Sequence, residues 1–131
     1  MIVGDFRRIP LPDHCADIII FDPPYCSHGP NGRQSFARDM GAFKNKADLV
    51  EHLYCGFREI SRIMKLDGIC FFKWGMGNLA LTPDKIRPLL PKALDWEIII
   101  ERKSFGHSKV NKFEINRVRN ATYWLQIWKT V

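Results

Sequence analysis

No run of this chain comes near the ~20 consecutive apolar residues that a membrane-crossing helix needs. The first residues also lack the basic, apolar and small-residue succession of a secretory signal. Four cysteines are present, Cys15, Cys26, Cys55 and Cys70, but none forms a Cys-x-x-Cys pair. That scatter argues against a disulfide framework and reads as free thiols in a reducing compartment, with a cytoplasmic location expected. Cys26, His28, His52 and Cys55 can be forced into a zinc site only without support from their spacing, so no metal is expected. There is no internal repeat and no low-complexity tract. Acidic residues are the scarcer charge, 14 against 20 Lys and Arg, for a net charge of +6. A basic surplus of this size supports a polyanionic partner.

What is present fits one folded unit. A length of 131 residues, with 46% hydrophobic and 26% charged, suffices for a single core spanning 1–131. The densest signal is Ile19-Ile20-Phe21-Asp22-Pro23-Pro24-Tyr25. A β-branched run of this kind reads as a buried strand over 18–22, and ligands of open α/β sheets bind outside the carboxyl ends of such strands. Two prolines in succession fix φ, remove two donors and leave their carbonyls as acceptors. Asp22, the Pro23 carbonyl and the Tyr25 ring would suit a flat heterocycle bearing an exocyclic amino group. Two acceptors on that nitrogen would localise its lone pair for attack on an electrophile. A proline-stiffened loop without chemistry is the plainer alternative.

With these residues in view, the chain resembles the amino-methyltransferases of DNA, which carry an (Asp/Asn/Ser)-Pro-Pro-(Tyr/Phe/Trp) motif. They transfer a methyl group from S-adenosylmethionine to adenine N6 or cytosine N4 of a base flipped from the duplex. Asp in the first position is more usual in the adenine-N6 enzymes. The flanks are similar too: Gly4-Asp5-Phe6, Leu11-Pro12-Asp13, Ala16-Asp17-Ile18, and the passage Glu59 to Ile69. The resemblance implies that Asp22, Pro23, Pro24 and Tyr25 are catalytic. It further implies that Asp5, Phe6 and Asp22 border the cofactor, although Asp5 could equally be a turn residue. No metal and no covalent enzyme intermediate are implied.

The remaining elements alternate in the α/β manner. Residues 26–46 are polar and read as a substrate-facing loop, with Arg33 and Arg38 toward nucleic acid, or as plain surface. A helix is expected from about Ala47 to Lys65, with Asp48 and Glu51 as a capping box and Gly68 at its exit. Leu49, Leu53, Phe57, Ile60 and Met64 form its apolar stripe, and Glu51, Arg58, Arg62 and Lys65 a solvated face. Ile69 to Trp74 reads as a strand apolar on both faces. Thr82-Pro83 starts a short helix, and strands follow over 96–103 and 121–129. Between them, 104–120 is a basic connecting segment that could form a hairpin or arm beside the site, with Phe105 and Phe113 among its charges. Lys103 before it and Lys109, Lys112 and Arg117 within it are candidate phosphate contacts, against a solubilising loop with its aromatics in the core as the alternative.

By the resemblance, these strands form a truncated Rossmann-like class I methyltransferase sheet. It would be mixed, with the last strand antiparallel between its two predecessors. The glycine-rich strand-to-helix turn that holds the methionine part of the cofactor has no good counterpart; Gly75-Met76-Gly77-Asn78 reads better as a strand exit. Strand 17–22 would then be an open edge, which native proteins seldom leave bare. A second copy or another subunit is expected to cover it. Three functions compete: a DNA amino-methyltransferase or its catalytic half, a methyltransferase of RNA or protein, and a catalytically incomplete nucleic-acid-binding module or subunit.

Overall fold

The computed structural model describes residues 1–23, 46–75, 81–110 and 113–130, with backbone alone for Lys46, 104–110 and 113–120. Strand β1 (Ala16–Phe21) pairs in parallel with β2 (Met64–Gly75), and helix α1 (Lys46–Ile63) stands between them in the chain. A short helix α2 (Pro83–Ile86) and a 3-10 turn (Arg87–Leu89) lead to β3 (Leu94–Val110). The chain then returns as β4 (Phe113–Lys129), which inserts between β2 and β3, antiparallel to both. The result is a small α/β domain on one open, mixed, four-stranded sheet of order β1-β2-β4-β3. This is the order expected, with the last strand between its two predecessors.

Helix α1 buries the stripe that its spacing foretells: Leu49, Leu53, Phe57 and Ile60 are all at most 1% exposed. They meet alternate residues of the sheet, Cys70, Phe72 and Trp74 from β2 and Leu125 and Ile127 from β4. Phe72 is the hub, its ring centroid 5.2 Å from Phe57, 5.5 Å from Phe21 and 6.1 Å from Trp96. Each such ring contributes roughly 1.5–3 kcal/mol through burial.

Several boundaries differ from the sequence reading, for physical reasons. Helix α1 starts at Lys46, so Asp48 lies in its first turn, inside the helix. It stops at Ile63, where the amides of His14 and Cys15 donate to the carbonyls of Arg62 and Ile63. Those bonds satisfy carbonyls that the helix end would otherwise orphan. Gly68 is therefore not a helix exit. It sits inside β2, where an added Cβ would come within 2.9 Å of the Ala16 carbonyl oxygen. Regular pairing with β1 does begin at Ile69, as read. Nor is β2 buried on both faces: Ile69, Phe71 and Lys73 are only half-buried. On the same face Ile18 and Ile20 of β1 are 68% and 71% exposed.

The charged side of α1 is also more than a solvated face. Arg62 donates to both oxygens of Glu59, to the carbonyls of Ile9 and Leu11, and to Asp13. Glu59 in turn accepts from the Ile9 amide at 2.7 Å. This bracket fastens the first thirteen residues to the helix. Lys65 pairs with Asp17 at 2.8 Å.

Candidate active site

Asp22 follows β1 directly, and Pro23 after it is buried. Because Phe21 pairs with Phe72, the next residues, Asp22 and Lys73, are neighbours at the carboxyl ends of two parallel strands. Lys73 Nζ donates to Asp22 Oδ2 at 3.1 Å, with both side chains partly exposed. The same ammonium stands 6.0 Å from the ring centroid of Trp124, its register partner on β4. Carboxylate, ammonium and indole thus form one row across β1, β2 and β4. Neither Lys73 nor Trp124 emerged from the sequence reading. The signal was there for Lys73, the one charged residue in the run Ile69–Trp74. Pro24 and Tyr25 lie outside the described residues.

Asp5 and Phe6 lie together on the N-terminal segment. They help line a cavity of about 350 Å³ with Ile2, Ile9, Pro10 and Leu11, at the small end of ligand-site volumes. Asp22 is not among its described lining residues. The Asp5 carboxylate is already engaged: the Arg7 guanidinium donates to both of its oxygens, and the Arg7 amide to Oδ1 at 2.9 Å. Those bonds hold its pKa down at about 2. Arg7 Nη1 also donates to His52 Nε2 at 2.7 Å. His52 Nδ1 faces the Asp48 carbonyl at 2.6 Å, which can only accept, so the proton belongs on Nδ1. Phe6 packs on Phe21 at 5.4 Å and lies so close over α1 that a Cβ on Gly56 would come within 2.9 Å of its ring. Phe6 thereby couples the cavity to the core.

The candidate phosphate contacts are spread more widely. Lys103 stands exposed on β3 and pairs with Glu101 at 3.1 Å. Lys109 and Arg117 belong to β3 and β4, which run straight through the expected connecting segment. Their side chains, like all of Arg33, Arg38 and Lys112, lie outside the described residues, as does the expected 26–46 loop except for Lys46, which is the first residue of α1. Among the described residues, no cluster of His, Cys, Asp and Glu could hold a metal ion, and no helix is long and apolar enough to cross a membrane. No protein-family model matches the chain, and no curated protein does.

Proposed function

We propose that this domain methylates an exocyclic amino group of DNA, adenine N6 before cytosine N4, with S-adenosylmethionine as donor. One observation carries the reading. Asp22-Pro23 opens from the carboxyl end of a parallel strand, in a mixed sheet of order β1-β2-β4-β3, beside an ammonium and an indole. On this reading the sheet is the catalytic half of a Rossmann-like class I methyltransferase. Asp22 accepts one amino hydrogen, the Pro23 carbonyl accepts the other, and Tyr25 stacks on the base. Lys73 keeps the Asp22 carboxylate in place. The donor supplies an electrophilic methyl group on a sulfonium, so positioning and exclusion of water dominate the rate. Asp5, Phe6 and the cavity beside them fit the adenosine part of that donor in size and apolar character.

The test is incorporation of labelled methyl into DNA by the wild-type chain and by Asp22→Ala. The variant should fold normally, because Asp22 is 44% exposed, and should transfer nothing. Equal incorporation by the two proteins would end the assignment.

A second reading, a subunit completed by a partner, draws on β1. It is the sheet's edge, and Ile18 and Ile20 on it are exposed. Calorimetric titration of S-adenosylmethionine separates the two: heat of binding from the chain alone favours the complete enzyme, and its absence favours the subunit.

A further inference from the structure

Strand β1 is an edge of the sheet, and among the described residues it pairs only with β2. Native edges are usually blunted by lysine, proline, a bulge or an inward-pointing charge. β1 has no lysine and no proline between Ala16 and Phe21. Its irregularity lies at its start, between Ala16 and Ile18, and Ile18 to Phe21 then run in regular register with Ile69 to Phe72. The carboxylates at its two ends are drawn back onto β2 of the same chain. Lys65 donates to Asp17 at 2.8 Å, and Lys73 to Asp22 at 3.1 Å. The edge therefore presents no net charge that would select a charged partner or repel a copy of itself. Ile18 and Ile20 stand 68% and 71% exposed on one face. Between them Ile19 is half-buried against the core on the other face.

This pattern is symmetric about Ile19, and an antiparallel pair of identical strands has a two-fold axis. With the axis at Ile19, Ile18 of each chain falls opposite Ile20 of the other, and Ile19 opposite itself. Residues directly opposite share a face, with Cβ atoms ~4.5–5.5 Å apart, so the four exposed isoleucines cover one another. An axis at Ile18 would set each Ile20 against Ala16, and one at Ile20 would set each Ile18 against Asp22. About Ile19, Asp17 meets Phe21 and Asp22 meets Ala16, so no two carboxylates face each other.

We propose that two copies of this chain pair through β1, antiparallel about Ile19, into one eight-stranded sheet with both α1 helices on the same side. The second copy is then the partner that the subunit reading calls for. Such an isologous contact closes after two copies, because it uses up the β1 edge of each. It is confined to one short strand per copy, well below the ~800 Å² per partner of a standard interface, so the dimer is weak, with a micromolar dissociation constant. The partner's Ala16 stands beside Asp22, on the flank that the chain's own sheet leaves open. On the methyltransferase reading, the second copy walls each site, and transfer per chain rises with protein concentration.

Sedimentation velocity across a wide range of protein concentration, with hydrogen exchange at both ends of that range, tests the dimer. The wild-type chain should pass from monomer to dimer. Amides of residues 18–21 that point away from β2 should exchange about tenfold more slowly at the high end. Ile18→Lys with Ile20→Lys should raise the dissociation constant more than about tenfold, because lysine on an edge opposes strand pairing. Its urea midpoint, measured where both proteins are monomeric, should not change, since both side chains already face solvent. Ile100→Lys, 56% exposed on the same face but on β3, should leave association as it is. A monomer at every concentration, equal dissociation by the β1 and β3 variants, or no concentration-dependent protection of 18–21 would each overturn the proposal. A dimer without methyl transfer would remove only the methyltransferase reading. Transfer by a chain that stays monomeric would remove only the dimer.

Discussion

Replacing Glu59 by alanine should loosen the N-terminal segment while leaving the sheet intact. Its side chain is 17% exposed and accepts from the Ile9 amide at 2.7 Å and from Arg62 at 2.8 and 2.9 Å. Hydrogen bonds to a charged group contribute roughly 1.5–3 kcal/mol, and partial exposure keeps this one toward the lower part of that range, about 2 kcal/mol. In a domain of this size that is a fall of about 7 °C in Tm. Glu59→Gln keeps an acceptor for Ile9 but loses the charge, so about half the loss is expected. The pH dependence has a definite sign. Bonds from Arg62 hold the Glu59 carboxyl below its ordinary value of 4.5. Its contribution is therefore complete above that value and fades as pH falls through the lowered one. Urea unfolding followed by tryptophan fluorescence at pH 7 and at pH 3.5 would measure both effects, and hydrogen exchange would locate the loosening in residues 5–13. A Glu59→Ala loss below about 0.5 kcal/mol, or a wild-type pH profile retained in Glu59→Gln, would refute the bracket.

Three further outcomes follow from the same contacts. Lys73→Met should cost under about 1 kcal/mol of stability, since its pair with Asp22 is partly exposed. Methyl transfer should nonetheless fall roughly 10- to 100-fold through misplacement of the carboxylate, and a fully active variant would separate Lys73 from the chemistry. Trp74→Phe removes the indole N–H that donates to the Leu81 carbonyl at 2.7 Å in the core. The orphaned acceptor should lower the urea midpoint by the equivalent of about 1–3 kcal/mol without changing the slope. Burial pushes the Cys70 thiol up to about 12. Under native conditions at pH 8, iodoacetamide should label half-buried Cys15 and Cys55 before Cys70, and early labelling of Cys70 by mass spectrometry would contradict this packing.

The core of this domain was legible because its signals are local. Leu49, Leu53, Phe57 and Ile60 repeat at helical spacing, and Ile69 to Trp74 is one apolar run, although only the structure showed that Cys70, Phe72 and Trp74 are its buried half. The candidate site was legible only where its residues are contiguous, at Asp22-Pro23. Lys73 and Trp124 stayed hidden because their proximity to Asp22 depends on cross-strand register, a relation between distant residues. Arg62 was read as solvated because helical periodicity reports which side faces the core, and says nothing of a segment fifty residues upstream folding against the other side. Strands over 96–103 and 121–129 were read too short, and the hairpin that joins them was only one of two readings, because polar and charged residues dilute the strand signal between 104 and 120.

Composition and local pattern, then, determined the α/β class, the apolar stripe of α1, the strand over 69–74 and the concentration of positive charge between Arg102 and Arg119. The tertiary structure decided which of these meet. Pairing of β2 between β1 and β4 put an ammonium and an indole beside Asp22. The physical reason is the two-residue period of a strand. A shift of one residue in pairing exchanges every side chain between the faces, so the chemistry of a sheet follows from register, which no single strand carries alone.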